Sequence, residues 1–140
     1  MLWKTDYAGC KAFGGVISWF MTKIINKKIT EQELREFLNQ PFPEMIKFVV
    51  DVEKEILALG GELHADAEAV LLEDGSEQKN LWGGNIYPDV NGEKLEYDSL
   101  INIRPSQNNR SLKIQDESLK NKIKNIVYQL LPLWLNYTQT

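Results

Sequence analysis

An α+β fold is what this sequence predicts: an antiparallel sheet of three to four strands, arranged as a β-meander and packed on one face by helices, in the order β-α-α-β-β-β-α. Three features point to it. Apolar residues recur at helical spacing before Gly60 and after Asp116, they alternate with polar residues from Glu62, and proline- and glycine-bearing turns punctuate residues 74 to 105. The 140 residues hold one core, and 43% apolar with 26% charged side chains is ordinary globular usage, which excludes disordered and collagen-like classes.

Residues 1–20 carry few charges and run into an apolar stretch, 12–21, about half as long as a bilayer span requires. They are expected to be an extension outside the fold, with translation starting at Met21 and residues 21–140 forming a single α+β domain. Residues 23–29 are a short β-prone run that could join the sheet at an edge. Thr30 and Glu33 form a capping box, so a helix starts at Thr30 with Leu34, Phe37 and Leu38 facing inward. Gln40-Pro41-Phe42-Pro43 interrupts the chain. A second, longer helix is expected beyond Pro43: Met45, Val49, Val52, Ile56 and Leu59 step by four and three, Lys47, Asp51, Lys54 and Glu55 make a wet face, and Gly60-Gly61 ends it.

From Glu62 a period of two begins, with Glu62, His64, Asp66 and Glu68 alternating with Leu63, Ala65, Ala67 and Ala69, which predicts a strand with two unlike faces. Asp74-Gly75-Ser76 turns the chain into a strand over 81–87, and Asn91-Gly92 lies in the connection to a third over 98–104, ended by Pro105. A last helix has Asp116 as its cap and Leu119, Ile123, Ile126, Val127, Leu130 and Leu131 as its stripe, with Pro132 at its end.

Strand parity then gathers His64, Asp66, Glu68, Asn85, Tyr87, Asn102 and Arg104 on one uncovered face, with Asn85 across from both Glu68 and Asn102. These groups have short reach and fixed hydrogen-bond geometry, which suits a preorganised site. Arg104, with Asn109 and Arg110 in the loop after Pro105, would cradle a phosphate or carboxylate. The expected function is a small non-catalytic binding or regulatory module that recognises an anionic ligand or a protein partner. The rival is a metal-assisted hydrolase in which His64, Asp66 and Glu68 offer the imidazole and carboxylates that suit Zn, Mn or Fe. No Gly-rich phosphate fingerprint is present, the cofactor is left unknown, and whether the protein is an enzyme stays open.

Charge and cysteine usage narrow the partners. The net charge is −4, but ten acids face two lysines between Glu44 and Glu77, and six basic residues face two acids between Ile101 and Asn125. Such segregation suits self-complementarity within the fold or between subunits better than a nucleic-acid footprint, which would be a denser basic stripe. The polar face, or the tail with Trp134, Leu135 and Tyr137, is therefore also a candidate homodimer contact. The lone Cys10 forms no internal disulfide, which fits a reducing cytoplasm, and no membrane association is expected.

Four blocks in order, Val49-Val50-Asp51-Val52-Glu53-Lys54-Glu55-Ile56, Gly60-Gly61-Glu62-Leu63-His64-Ala65-Asp66-Ala67-Glu68, Leu81-Trp82-Gly83-Gly84-Asn85-Ile86-Tyr87-Pro88 and Ser99-Leu100-Ile101-Asn102-Ile103-Arg104-Pro105, resemble a small prokaryotic family known only as a domain of unknown function. The resemblance spans roughly residues 23 to 131 and omits the first twenty. It implies no activity, cofactor or partner, so it assigns no role to any residue here.

Overall fold

A computed structural model describes residues 11–13, 16–18 and 21–133. The backbone of β1 (Lys11–Phe13) pairs antiparallel with β2 (Val16–Ser18), while the rest of the expected extension, with Cys10, lies outside the described residues, as do Trp134, Leu135 and Tyr137. The main sheet has five antiparallel strands in the order β3-β5-β4-β6-β7. These are β3 (Thr22–Ile25), β4 (Ile46–Asp51), β5 (Ile56–Gly60), β6 (Leu81–Ile86) and β7 (Leu95–Glu96). Three helices complete the fold: α1 (Glu31–Arg35), α2 (His64–Glu73) and α3 (Glu117–Leu130).

The α+β class and the antiparallel sheet agree with the sequence, as do the edge strand near residue 23, the Thr30 capping box, strand β6 and the Asp116-capped α3. Thr30 and Glu33 exchange reciprocal bonds of 3.1 and 2.8 Å, and the Asp116 carboxylate accepts from Ser118 N at 2.9 Å. The element order differs, however, because the expected long helix is a hairpin and the expected first meander strand is a helix.

Residues 44–59 form β4 and β5 because the sheet is covered on both sides. Phe48, Val50, Leu57 and Leu59 pack with Ile123, Ile126 and Val127 of α3, whereas Val49 and Ala58 pack with Ala67 and Leu71 of α2. With both faces apolar, the period-two signal vanishes and the spacing mimics a helical stripe. The turn is held by Asp51. Fully buried rather than on a wet helix face, its carboxylate accepts from Glu53 N and Lys54 N at 2.9 Å each and from Ser76 Oγ at 2.6 Å. Glu55 takes φ 59°, and Gly60 ends β5 at φ 102° where a Cβ would lie 2.2 Å from Met21 O.

Residues 64–73 form α2 instead of a strand, since alanine, leucine and glutamate favour a helix and the alternation of small and charged residues is coincidental. Asp66 accepts from Leu63 N at 3.0 Å and so caps the helix, and fully buried Ala67 lets α2 lie close on Ala58. The expected third strand, 98–104, is also corrected: it contains a 3-10 turn, Leu100–Asn102, flanked by single bridges of Asp98 with Lys113 and Arg104 with Asn109. The Asn102 side chain replaces the missing strand. Its carboxamide accepts from Gly83 N at 2.9 Å and donates to Gly83 O at 3.0 Å, so it continues the outer edge of β6.

Candidate functional site

Antiparallel register sets Lys47 of β4, Asn85 of β6 and Glu96 of β7 side by side in one row, on the sheet face that α2 covers. The first turn of α2 ends above this row, and the 3-10 turn at Leu100 rises opposite it. Between them opens a cleft of about 610 Å³. Lys47, Glu62, His64, Asn85, Asp98 and Ser99 supply its polar lining, and Phe42, Leu63, Ile101, Leu100 and Leu112 its apolar walls. Leu63 and Leu100 are 60% and 77% exposed, unusual for leucines beside an opening.

His64 bonds through Nε2 to Gly84 O at 2.7 Å. A carbonyl only accepts, so Nε2 carries the proton in the neutral ring and Nδ1 keeps a lone pair. Burial lowers the His64 pKa from its ordinary value of 6.5 against the opposing pull of the Gly84 carbonyl, and Lys47 lowers it further. Linkage then fixes a sign: stability from neutral His64 is complete above 6.5 and is lost as pH falls through the depressed folded-state value. The variant His64→Gln should therefore show a flatter decline in denaturation midpoint between about pH 7 and 5 than the parent. Identical slopes for the two proteins would contradict this.

Asn85 is 7% exposed and held from behind. Its Nδ2 donates to Glu96 Oε1 at 2.8 Å, and Tyr87 donates its hydroxyl to the same oxygen at 3.1 Å. Burial and this carboxylate raise the Tyr87 pKa. Turning the Asn85 amide over would set its carbonyl against Glu96, so the orientation is fixed. Its Oδ1 is left buried with no hydrogen-bond partner among the described residues. Lys47 is half-buried over the Phe42 ring at 5.2 Å, and burial lowers its pKa more than Glu96 raises it.

The seven residues expected to share one face are divided, and the two expected beside them in the loop after Pro105, Asn109 and Arg110, do not join the cleft lining. His64 and Asn85 line the cleft, with Tyr87 behind them. Asp66 is spent as the α2 cap, and Glu68 points to Gln78 Nε2 at 3.4 Å, so the proposed His64, Asp66 and Glu68 ligand set does not converge. Among the described residues no group of three or more His, Cys, Asp and Glu could hold a metal ion.

Asn102, Arg104 and Asn109 are buried and structural. Arg104 lies 4.4 Å from the Trp82 ring centroid and donates to Ile101 O at 3.0 Å, Gln78 O at 2.8 Å, Gln107 Oε1 at 3.2 Å and Leu81 O. Burial lowers its pKa, with Glu68 opposing. Those donors are not free to cradle an anion. Asn109 Nδ2 donates to the carbonyls of Asn102, Ser111 and Lys113, and Arg110 is exposed. The expected register is corrected too, because Asn85 faces Lys47 and Glu96 and not Glu68 or Asn102.

Sequence reasoning missed Lys47, Glu96, Ser99 and the leucine walls. The signal for Lys47 was present, since Ile46-Lys47-Phe48 is one cation inside an apolar run, as a strand with one polar-facing position would show. Among the described residues no helix is long and apolar enough to cross a membrane.

No curated protein and no solved structure matches the chain. One family does match, over residues 23–130, which takes in the main sheet except Thr22 at the start of β3, all of α1, α2 and α3, and the whole cleft lining. The chain thus belongs to the family described as Protein of unknown function (DUF5674).

Proposed function

We propose that the protein is a small non-catalytic binding module whose ligand sits in the cleft between the start of α2 and the Leu100 turn. The observation that carries this reading is the contrast within the cleft: exposed leucines form its walls, while its floor is a polar row braced by Glu96. Ligand pockets combine an apolar body with few, fixed polar groups in the same way. His64 and Asn85 remain the proposed contacts from the expected set, with Tyr87 supporting them. A protein partner remains compatible with this site through the exposed leucines. The metal-assisted route finds no support in the separated side chains of His64, Asp66 and Glu68.

The dye 8-anilinonaphthalene-1-sulfonate, an aromatic body with an anionic group, is a suitable first probe. Saturable binding to one site on the folded protein is expected. The variant Ala65→Trp, at an exposed position on the cleft lining, should abolish that binding at an unchanged melting temperature. Absence of binding, or binding that Ala65→Trp leaves intact, would overturn the proposal.

A further inference from the structure

Lys47 brings to the cleft an amine that the fold itself does not use. Of the described lysines that are not exposed, Lys94 donates to the carbonyls of Pro88 and Val90, while Lys120 and Lys124 pair with Glu117 and Glu93. Lys47 is the remaining one, and among the described residues it has neither a hydrogen bond nor an ion pair; its nitrogen lies 5.2 Å from the centroid of the Phe42 ring. Its stem is rooted beside buried Asn85, and it shares the lining with Leu63, Leu100 and Leu112. Removing its proton therefore breaks no hydrogen bond and orphans no carboxylate. The ring favours the cation less than a paired carboxylate would, and burial lowers the pKa against the weaker pull of Glu96. A partly desolvated amine in an apolar cleft is a nucleophile.

Three carboxylates lie about the cleft, and none pairs with this amine. Glu62 and Asp98 are on the lining, Glu62 exposed and Asp98 held by Lys113 Nζ at 3.0 Å, while Glu96 is bonded to Asn85 and Tyr87. A free anion would meet Glu62 and Asp98 as well as Lys47, and a free cation would pair with those acids and leave the amine unused. Resting on the cleft reading above, we propose that Lys47 reversibly captures a neutral aldehyde with an apolar body as an imine. The Nζ lone pair bonds to the carbonyl carbon while the C=O π pair moves to oxygen, and a proton passes through water from nitrogen to that oxygen. The resulting hydroxyl takes a proton and leaves as water, the nitrogen lone pair closes the C=N bond, and the extra proton returns to solvent. Amine and aldehyde thus become imine and water without oxidant or reductant, and hydrolysis reverses the step. The apolar body lies between Leu63, Leu100 and Leu112. This assignment departs from the anionic ligand expected from sequence, which depended on Arg104.

Hexanal and acetaldehyde share the reacting group and differ in the apolar body. Each can be given to the full-length protein at neutral pH with sodium cyanoborohydride, which reduces an imine to a stable secondary amine, and the alkylation of each lysine followed by peptide mass spectrometry. With hexanal, Lys47 should be modified about tenfold faster than exposed Lys23, Lys27, Lys54 and Lys122, the gain that burying about two methylenes supplies, and acetaldehyde should show a smaller preference. Ala65→Trp should bring Lys47 down to the rate of the exposed lysines. Lys47→Arg keeps the charge but forms no imine, so without reductant hexanal should displace the dye from the parent at about tenfold lower concentration than from this variant. Equal rates for Lys47 and the exposed lysines, a preference that survives Ala65→Trp, or equal displacement from Lys47→Arg would overturn the aldehyde assignment. If one of these occurs while the dye still binds and Ala65→Trp still blocks it, the aldehyde assignment falls and the cleft reading stands. Failure of the dye to bind the parent removes both.

Discussion

Replacing Asn102 by alanine is expected to destabilise the protein by about 4 kcal/mol, enough to lower the denaturation midpoint well beyond what a surface substitution does. Asn102 is fully buried, and one carboxamide serves four backbone groups: it accepts from Gly83 N and donates to the carbonyls of Gly83, Tyr97 and Leu112 at 3.0, 3.4 and 3.1 Å. Alanine removes all of these and leaves the Gly83 N–H unpaired inside the protein. Asn102→Asp separates the contributions. It keeps the acceptor for Gly83 N but aims a carboxylate at three carbonyls, so it should be at least as damaging near neutral pH and recover in part when acid protonates the group. Urea denaturation of the three proteins checks this. A loss below about 1 kcal/mol for the alanine variant would mean that the carboxamide is dispensable to the sheet edge.

Gly84→Ala should be nearly as costly, for a steric rather than a polar reason. A Cβ at that position would lie 2.5 Å from the Glu96 carbonyl oxygen and 2.6 Å from Phe48 Cζ. One obstacle is backbone and cannot rotate away. Separating β6 from β7 or displacing fully buried Phe48 is expected to cost about 3 kcal/mol. It would also shift the carbonyl that holds His64 and so distort the cleft floor. Adding Phe48→Leu to Gly84→Ala relieves the side-chain overlap but not the backbone one, so partial recovery is the expected outcome in thermal melts. A fully stable single variant would sink the argument.

What could be read in the sequence was what local chemistry decides. The Thr30 and Glu33 pair, the Asp116 cap and the stripe of α3 act within one turn or one helix, and each stands where its residues imply. Strand β6 was legible because Leu81-Trp82-Gly83-Gly84-Asn85-Ile86 favours no helix. Residues 46 to 60 were not, because their pattern depends on α2 and α3 covering opposite faces, and neither helix is local to them. Once α2 was taken for a strand, His64, Asp66 and Glu68 were assigned to one side, although a helix turns Asp66 away from the other two. Asn85 and His64 still reached the same cleft, since His64 crosses from the helix to the Gly84 carbonyl of the strand beside Asn85. Arg104 was misassigned for another reason: its partners are mainly carbonyls, which no side-chain pattern reveals.

The closing of the β6 border by Asn102 has a consequence for behaviour in concentrated solution. Strand β7 covers only Asn85 and Ile86, and farther along the same border an asparagine amide occupies the Gly83 groups that a neighbouring molecule's strand would otherwise seize. A template for intermolecular β-pairing is thereby blocked by a plug too short to recruit a strand itself. Loosening that plug should show as fibrillation or turbidity under conditions where the parent protein stays clear.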